Sequence, residues 1–299
     1  MGKTSDKLNY LNDTKKAIKS AIVNRGVSVS DDDTFRSYAN KIGSIGETVE
    51  KVKFGASVDN FLGDVDENGA YSRPTKPYSV DLTGVKAVRD NGFRYRFYGD
   101  KNIRSFIARD LLKVESQAFS ECFVSIGSEE FYAEFGCVEL GPTTRAFETF
   151  YKAFVLTKNV NVVFNKLITV NGESVFKEMF ASPVYGAKKQ EFDKIFPVLE
   201  TIVGSGVFAG FSEIALNDEI KSNTVKKIIG GSSIYLGTFY RYNSKTKYYF
   251  PNLTEITGHV FNATDLEIHF AAANQAAIEA CDGYANKWGA TNATIYFDL

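Results

Sequence analysis

The chain has 299 residues, 44% of them hydrophobic and 24% charged, with a formal net charge of −1. Such a balance fits a folded chain and excludes global disorder. It also leaves no electrostatic footprint for nucleic acid or an anionic membrane, and no run reaches the roughly 18–20 apolar residues of a membrane span.

Residues 1–47 read as a helical hairpin. Leu8, Leu11, Ile18 and Ile22 fall on one helical stripe, and Lys15, Lys16 and Lys19 lie on the other face. Gly26 stands where a C-terminal cap is expected. Asp31-Asp32-Asp33 then supplies an N-cap and an acidic first turn for a second helix through Phe35, Tyr38 and Ile42. The polar start, Met1-Gly2-Lys3-Thr4-Ser5-Asp6, has no apolar segment of a secretory signal. The wording of both helices, Lys7-Leu-Asn-Tyr-Leu, Thr14-Lys-Lys-Ala-Ile-Lys-Ser-Ala-Ile22 and Asp33-Thr-Phe-Arg-Ser-Tyr-Ala-Asn-Lys-Ile42, resembles the N-terminal module of structural and tail-fibre proteins of bacteriophages. There the module precedes variable distal domains, so the resemblance implies attachment to other virion proteins through Leu8, Leu11, Ile18, Ile22, Phe35, Tyr38 and Ile42.

Residues 48–79 read as a short β-rich connector with an Asn-Gly turn, stiffened by Pro74 and Pro77. Asp64, Asp66, Asn68 and Gly69 match the first positions of an EF-hand loop. The twelfth position is Thr75 instead of a bidentate glutamate, and no helical pattern flanks the loop. A turn with acidic side chains is the better reading, and no metal is assigned.

From residue 80 onwards one phrase recurs, a small residue or Val or Thr followed by Phe: Phe93, Phe119, Phe147, Phe176, Phe208, Phe239 and Phe261. Short strand-like stretches precede most of them, at 111–114, 167–170, 199–202 and 253–256. Self-similarity at steps of about 20–50 residues is the signature of a solenoid, in which coils stack at roughly 4.8 Å and equivalent side chains overlie one another. The alternative is an ordinary β-rich core, since the chain carries 25 Phe and 16 Tyr. The unit L-x-x-I/V followed by Phe resembles the BspA-type leucine-rich repeat, which implies about seven coils, each with one strand, a turn and a core aromatic. The fold expected over 80–299 is thus an irregular leucine-rich-repeat-like solenoid. A cap at 268–299 is built from Ile268-His269-Phe270, a helix near 274–280 carrying Trp288 behind it, and Ile295-Tyr296-Phe297. With the hairpin, the class is mixed α/β.

The connectors at 185–191 and 217–223 vary most, and such insertions often line a binding rim. The densest surface candidate is 239–250, where Tyr240, Tyr242, Lys245, Lys247 and Tyr248 alternate aromatics with cations suited to sugar rings or a protein interface. A hairpin whose aromatics fill the core is the competing reading.

Signals of catalysis are missing. His259 and His269 sit in no metal-spaced pair, and there is no G-x-S-x-G elbow or Walker loop. Cys122, Cys137 and Cys281 read as inert thiols of a chain assembled in a reducing cytoplasm. The phage resemblance implies a non-enzymatic virion fibre or spike, without cofactor, nucleic acid or membrane insertion. It would meet a host surface protein or glycan through its repeats and act as a small homo-oligomer. The alternatives are a decoration, collar or baseplate component and a bacterial BspA-like adhesin.

Overall fold

The computed structural model describes residues 4–23, 29–30, 33–34, 37–38, 50–53, 57–58, 74–127, 130–141, 146–157, 160–180, 190–211, 219–233, 235–240, 246–262, 265–290 and 292–299. The helix α1 spans Thr4–Val23. Its Ile22 is buried with Val29 and Tyr38, and Ile18 packs against them, whereas Leu8 and Leu11 are exposed. Of the second expected helix, Ser37 and Tyr38 are helical. Phe35 and Ile42 lie outside the described residues, as does the Asp64–Gly69 loop.

The remainder is a mostly parallel β-solenoid of about seven turns. One face is the parallel row β1 (Glu50–Lys53), β3 (Tyr78–Asp81), β5 (Ile103–Ala108), β7 (Phe131–Phe135) and β10 (Val160–Phe164). A short helix, α2 (Phe192–Ile195), interrupts it. A second parallel row follows: β13 (Glu219–Lys221), β16 (Lys247–Phe250), β19 (Glu267–Phe270) and β20 (Thr294–Phe297). The other face begins with β2 (Ser57–Val58), β4 (Ala87–Val88) and β6 (Lys113–Val114). It runs on through β8 (Glu139–Leu140), β11 (Thr169–Glu173), β12 (Thr201–Gly204), β14 (Lys227–Gly230) and β17 (Glu255–Thr257). Each complete coil therefore supplies two strands where the sequence suggested one. The described parts of the expected connector at 48–79 are rungs of the same ladders, because β1 and β2 pair in parallel with β3 and β4.

A ribbon of overlapping turns closes the central coils, from the one at 89–100 to the one ending at Phe211. In the coil at 89–100, alternate amides bond three residues back, as Arg94 to the Asn91 carbonyl. The intervening amides donate to the next coil, as Phe93 to Ala118 and Phe97 to Cys122. Every fourth residue has positive φ: Asn91, Tyr95 and Gly99, then Gln117, Glu121 and Ser125, then Glu148, Lys152 and Leu156. Two residues after the first two such positions of each ribbon a Phe points inward: Phe93 and Phe97, Phe119 and Phe123, Phe150 and Phe154.

That rule sets the first five rungs of the aromatic ladder, since Ser174 and Gly206 likewise have positive φ two residues before Phe176 and Phe208. Phe93, Phe119, Phe150, Phe176, Phe208, Phe239 and Phe261 stack with successive centroids 5.4, 5.0, 5.4, 5.3, 5.3 and 6.2 Å apart. The expected rung Phe147 is not in it. It belongs to the short strand β9 (Ala146–Phe147), is half-buried, and precedes the left-handed Glu148, so the inward position falls to Phe150. A second column runs Phe97, Phe123, Phe154 and Phe180. A third, Phe106, Phe135, Phe164 and Phe196, comes mostly from the first face and meets the first column edge-on, as Phe150 and Phe164 do at 89°. Both arrangements are the preferred geometries of aromatic pairs. At the corner where the second face meets the ribbon, Gly204 has φ +128°, and a Cβ there would collide with the Gly172 carbonyl of the preceding rung.

The short strands β15 (Phe239–Tyr240) and β18 (Phe261–Asn262) pair in the last coils. Beyond β19, a 3-10 turn, the helix α3 (Gln275–Glu279) and the buried Trp288 precede β20. The Trp288 indole Nε1 donates to the Asp282 carbonyl at 3.0 Å.

Candidate functional site

The terminal row β16, β19 and β20 is written Lys-Tyr-Tyr-Phe, Glu-Ile-His-Phe and Thr-Ile-Tyr-Phe, β-branched and aromatic residues that suit a pleated half-buried surface. Side chains alternate between faces, so one set goes to the core and the other to the outer surface. Tyr248 and Phe250, Ile268 and Phe270 are buried. Lys247 and Tyr249, Glu267 and His269, Thr294 and Tyr296 form the outer set, and parallel register places them on common levels.

The outer set makes two rows. In one, Tyr249, His269 and Tyr296 stack ring on ring, with centroids 4.6 and 4.5 Å apart and planes within 17° and 10°. In the other, Lys247 Nζ donates to Glu267 Oε2 at 2.8 Å. The two are joined at His269. Its Nδ1 lies 2.9 and 3.1 Å from the two carboxylate oxygens of Asp298, and its Nε2 faces Glu267 Oε2 at 3.6 Å. The hydrogen bond from Lys247 holds the Glu267 carboxyl below its ordinary range and, reciprocally, raises the Lys247 ammonium. Partial desolvation, followed by the charge of Glu219, raises the Tyr249 phenol.

Stacked rings present their edges to solvent except at the ends of the row. Tyr296 is at such an end. It is 37% exposed, β20 is the last strand of its sheet, and no further strand covers its outer ring face among the described residues. The open face of Tyr296, with the Asp298 carboxylate nearby and the free edge of β20 behind it, can stack an apolar ring face while accepting hydrogen bonds from hydroxyls.

Of the surface residues expected from sequence, Tyr248 is only 1% exposed and packs on Phe239 and Phe261, with centroids 5.5 and 5.0 Å away. It is a core residue, turned inward by the same alternation that buries Phe250. Tyr240 is half-buried and belongs to the β15/β18 pair, a different ladder from that of Lys247. Lys247 stands on the outer face beside Tyr249. Tyr242 and Lys245 lie outside the described residues, as do the connectors at 185–189 and 217–218. The 239–250 candidate contained Tyr249 without naming it, and His269, Tyr296 and Asp298, from β19, β20 and the residue after β20, were missed. The available signal was the shared apolar-aromatic ending of the three strands, which sets their phase.

Elsewhere, polar side chains staple rungs together. The buried Asp100 accepts from the Tyr78 hydroxyl at 2.6 Å and from the amides of Asn102 and Ile103. Glu134 accepts from Arg109, Tyr132 and Asn165. Among the described residues, no group of three or more His, Cys, Asp and Glu is placed to hold a metal ion. All three cysteines are free, with Cys122 and Cys137 buried. No protein-family model matches the chain, and neither a curated protein nor a solved structure shows significant similarity to it.

Proposed function

We propose that this chain is a non-enzymatic recognition component of a bacteriophage virion, a fibre or spike, whose solenoid meets a glycan on the host surface at the outer face of β16, β19 and β20. The observation that carries the recognition reading is the Tyr249–His269–Tyr296 stack, open at Tyr296 and bordered by Asp298. A sugar ring laid on Tyr296 gains apolar contact, and Asp298 orients its hydroxyls. The repeated Leu and Phe phrasing supports a BspA-type leucine-rich repeat as the scaffold. The helix-pair wording supports an N-terminal hairpin that anchors the chain to other virion proteins, with the exposed Leu8 and Leu11 available for that contact. Display in several copies raises weak single contacts to firm adhesion.

The test is binding of fluorescently labelled full-length protein to candidate host cells, with competition by polysaccharide extracted from those cells. Labelling that the polysaccharide removes, and that Tyr296→Ala abolishes, supports the proposal. Labelling of no host, alongside incorporation into particles, favours the second reading: a decoration, collar or baseplate subunit that contacts its neighbours through surfaces such as Leu8 and Leu11.

A further inference from the structure

One corner of the solenoid carries an exposed apolar stripe. It lies where each coil passes onto the second face, and backbone hydrogen bonds set its register. The Leu112 amide donates to Lys86, Ile168 to Val138, Glu200 to Ile168 and Lys226 to Glu200. The Gly136 amide donates to Ala108, which carries the register from the Leu112 rung to the Val138 rung. Successive rungs therefore present Lys86, Leu112, Val138, Ile168 and Glu200. The three central residues are 66%, 44% and 42% exposed, although the positions just beneath them, Leu111, Cys137 and Leu167, are fully buried. Apolar side chains aligned on consecutive rungs make a continuous strip, which marks an interaction surface more strongly than scattered exposed residues do.

The order of that strip is self-complementary: cation, three apolar residues, anion. We propose that two copies of this chain pair antiparallel through this corner, with the two-fold axis at the level of Val138. Such an axis sets Val138 against its own copy, Leu112 against Ile168 of the other copy, and Lys86 against Glu200. The neighbouring column obeys the same symmetry. Asp110 and Lys166 flank Gly136 by one rung on either side, so each meets the opposite charge. Within one copy, among the described residues, these groups hold exposed partners: Lys86 lies 3.9 Å from Asp110, which accepts from the Gly84 amide at 3.0 Å, Lys166 donates to the Arg109 carbonyl at 3.2 Å, and Glu200 pairs with Lys226 at 2.6 Å. Such pairs are weak and exchange at little cost. An isologous interface requires this kind of self-complementary patch. A parallel pairing would instead set Lys86 against Lys86 and Glu200 against Glu200, which like-charge repulsion disfavours. Glu139, exposed and level with the axis, meets its own copy in the antiparallel pairing, so Glu139→Gln tightens it. The pairing is independent of the recognition reading, since it concerns copy–copy contact and not Tyr296.

The experiment is cysteine pairing on the full-length chain. Leu112 and Ile168 stand two rungs apart in one copy, about 10 Å at the strand spacing and beyond the reach of a disulfide. Oxidised L112C/I168C is therefore expected to run as a covalent dimer. L112C alone and I168C alone are expected to match the wild type, whose partly buried Cys281 controls for adventitious bridging. In sedimentation, the wild type is expected to dimerise, and Val138→Glu to weaken the dimer by about tenfold or more. A wild type that stays monomeric, a double variant that does not bridge, or an L112C that bridges alone as readily as the double variant would each overturn the pairing.

Discussion

The turn ribbon of the central coils and the outer face of the terminal sheet use one device to different ends. In both, parallel register sets an aromatic on each successive rung, and the rings stack at about the strand spacing. In the ribbon the stack points inward, is fully buried, and meets the third aromatic column edge-on. In the terminal sheet the stack points outward and is bordered by Lys247, Glu267 and Asp298. The direction of the side chain, which one residue of phase decides, separates a stabilising ladder from a surface available to a ligand.

The comparison can be broken first at Phe150, the rung that replaces Phe147. Phe150→Ala opens a cavity where two aromatic columns meet and is expected to cost roughly 3–5 kcal/mol in chemical denaturation. Phe147→Ala, on a half-buried side chain outside the stack, is expected to cost about 1 kcal/mol or less. Equal losses would mean that the left-handed positions do not set the ladder.

A second contrast is Tyr248 against Tyr249. Tyr248→Ala removes a buried ring and is expected to cost about 3 kcal/mol, whereas Tyr249→Ala on the outer row costs about 1 kcal/mol or less. Thermal melts of the two variants give the readout, and the opposite ranking would invert the phase of β16.

The central coils and the terminal sheet also differ in their response to pH. Burial pushes the Cys137 thiol from its ordinary 9.0 up to about 12. Burial, reinforced by Glu134, pushes the Tyr132 phenol from 10.0 up to about 12. In both, the fold favours the neutral form. The stability they contribute is whole below the unfolded values and is lost as pH rises from about 9 towards 12. In the terminal sheet the sign reverses. Glu267 is held below its ordinary 4.5 by Lys247, so its contribution is present above that value and disappears as pH falls through the folded pKa. Melts are therefore expected to show a larger loss on the alkaline side, from the buried Cys137 and the half-buried Tyr132, and a small one on the acid side, from an exposed pair.

The smallest expected effect is at Leu156, which is exposed and has φ 58° at the end of its ribbon. Asn tolerates the left-handed region better than Leu, so Leu156→Asn is expected to raise stability by about 0.5 kcal/mol. A loss measured in denaturant would show that the Leu156 side chain matters to the packing.

Much of the scaffold was legible because a repeat writes its core many times. The phenylalanine phrases identify six of the seven rungs of the first column. The seventh was misplaced because Ala146-Phe147 mimics the phrase, while the ladder position is set by the left-handed residue at Glu148, which a dipeptide does not reveal. The strands of the first face between residues 100 and 165 were missed. Stretches such as Phe131–Phe135 and Val160–Phe164 are only five residues long and fall between the phenylalanine phrases, so their alternation spans too few residues to stand out. The candidate site was the least legible. Tyr240, Tyr242 and Tyr248 are close in sequence, but proximity does not specify a face. Tyr249, His269 and Tyr296 are brought together only by the register of three strands.

The most direct test of the account is binding of extracted host surface polysaccharide to full-length wild type and to Tyr296→Ala, measured together with a thermal melt of each. The account predicts that Tyr296→Ala loses binding by about tenfold or more, in keeping with the removal of a stacking face, while the melting temperature changes little. Binding that survives unchanged in a folded Tyr296→Ala would contradict a recognition role for the open end of the stack.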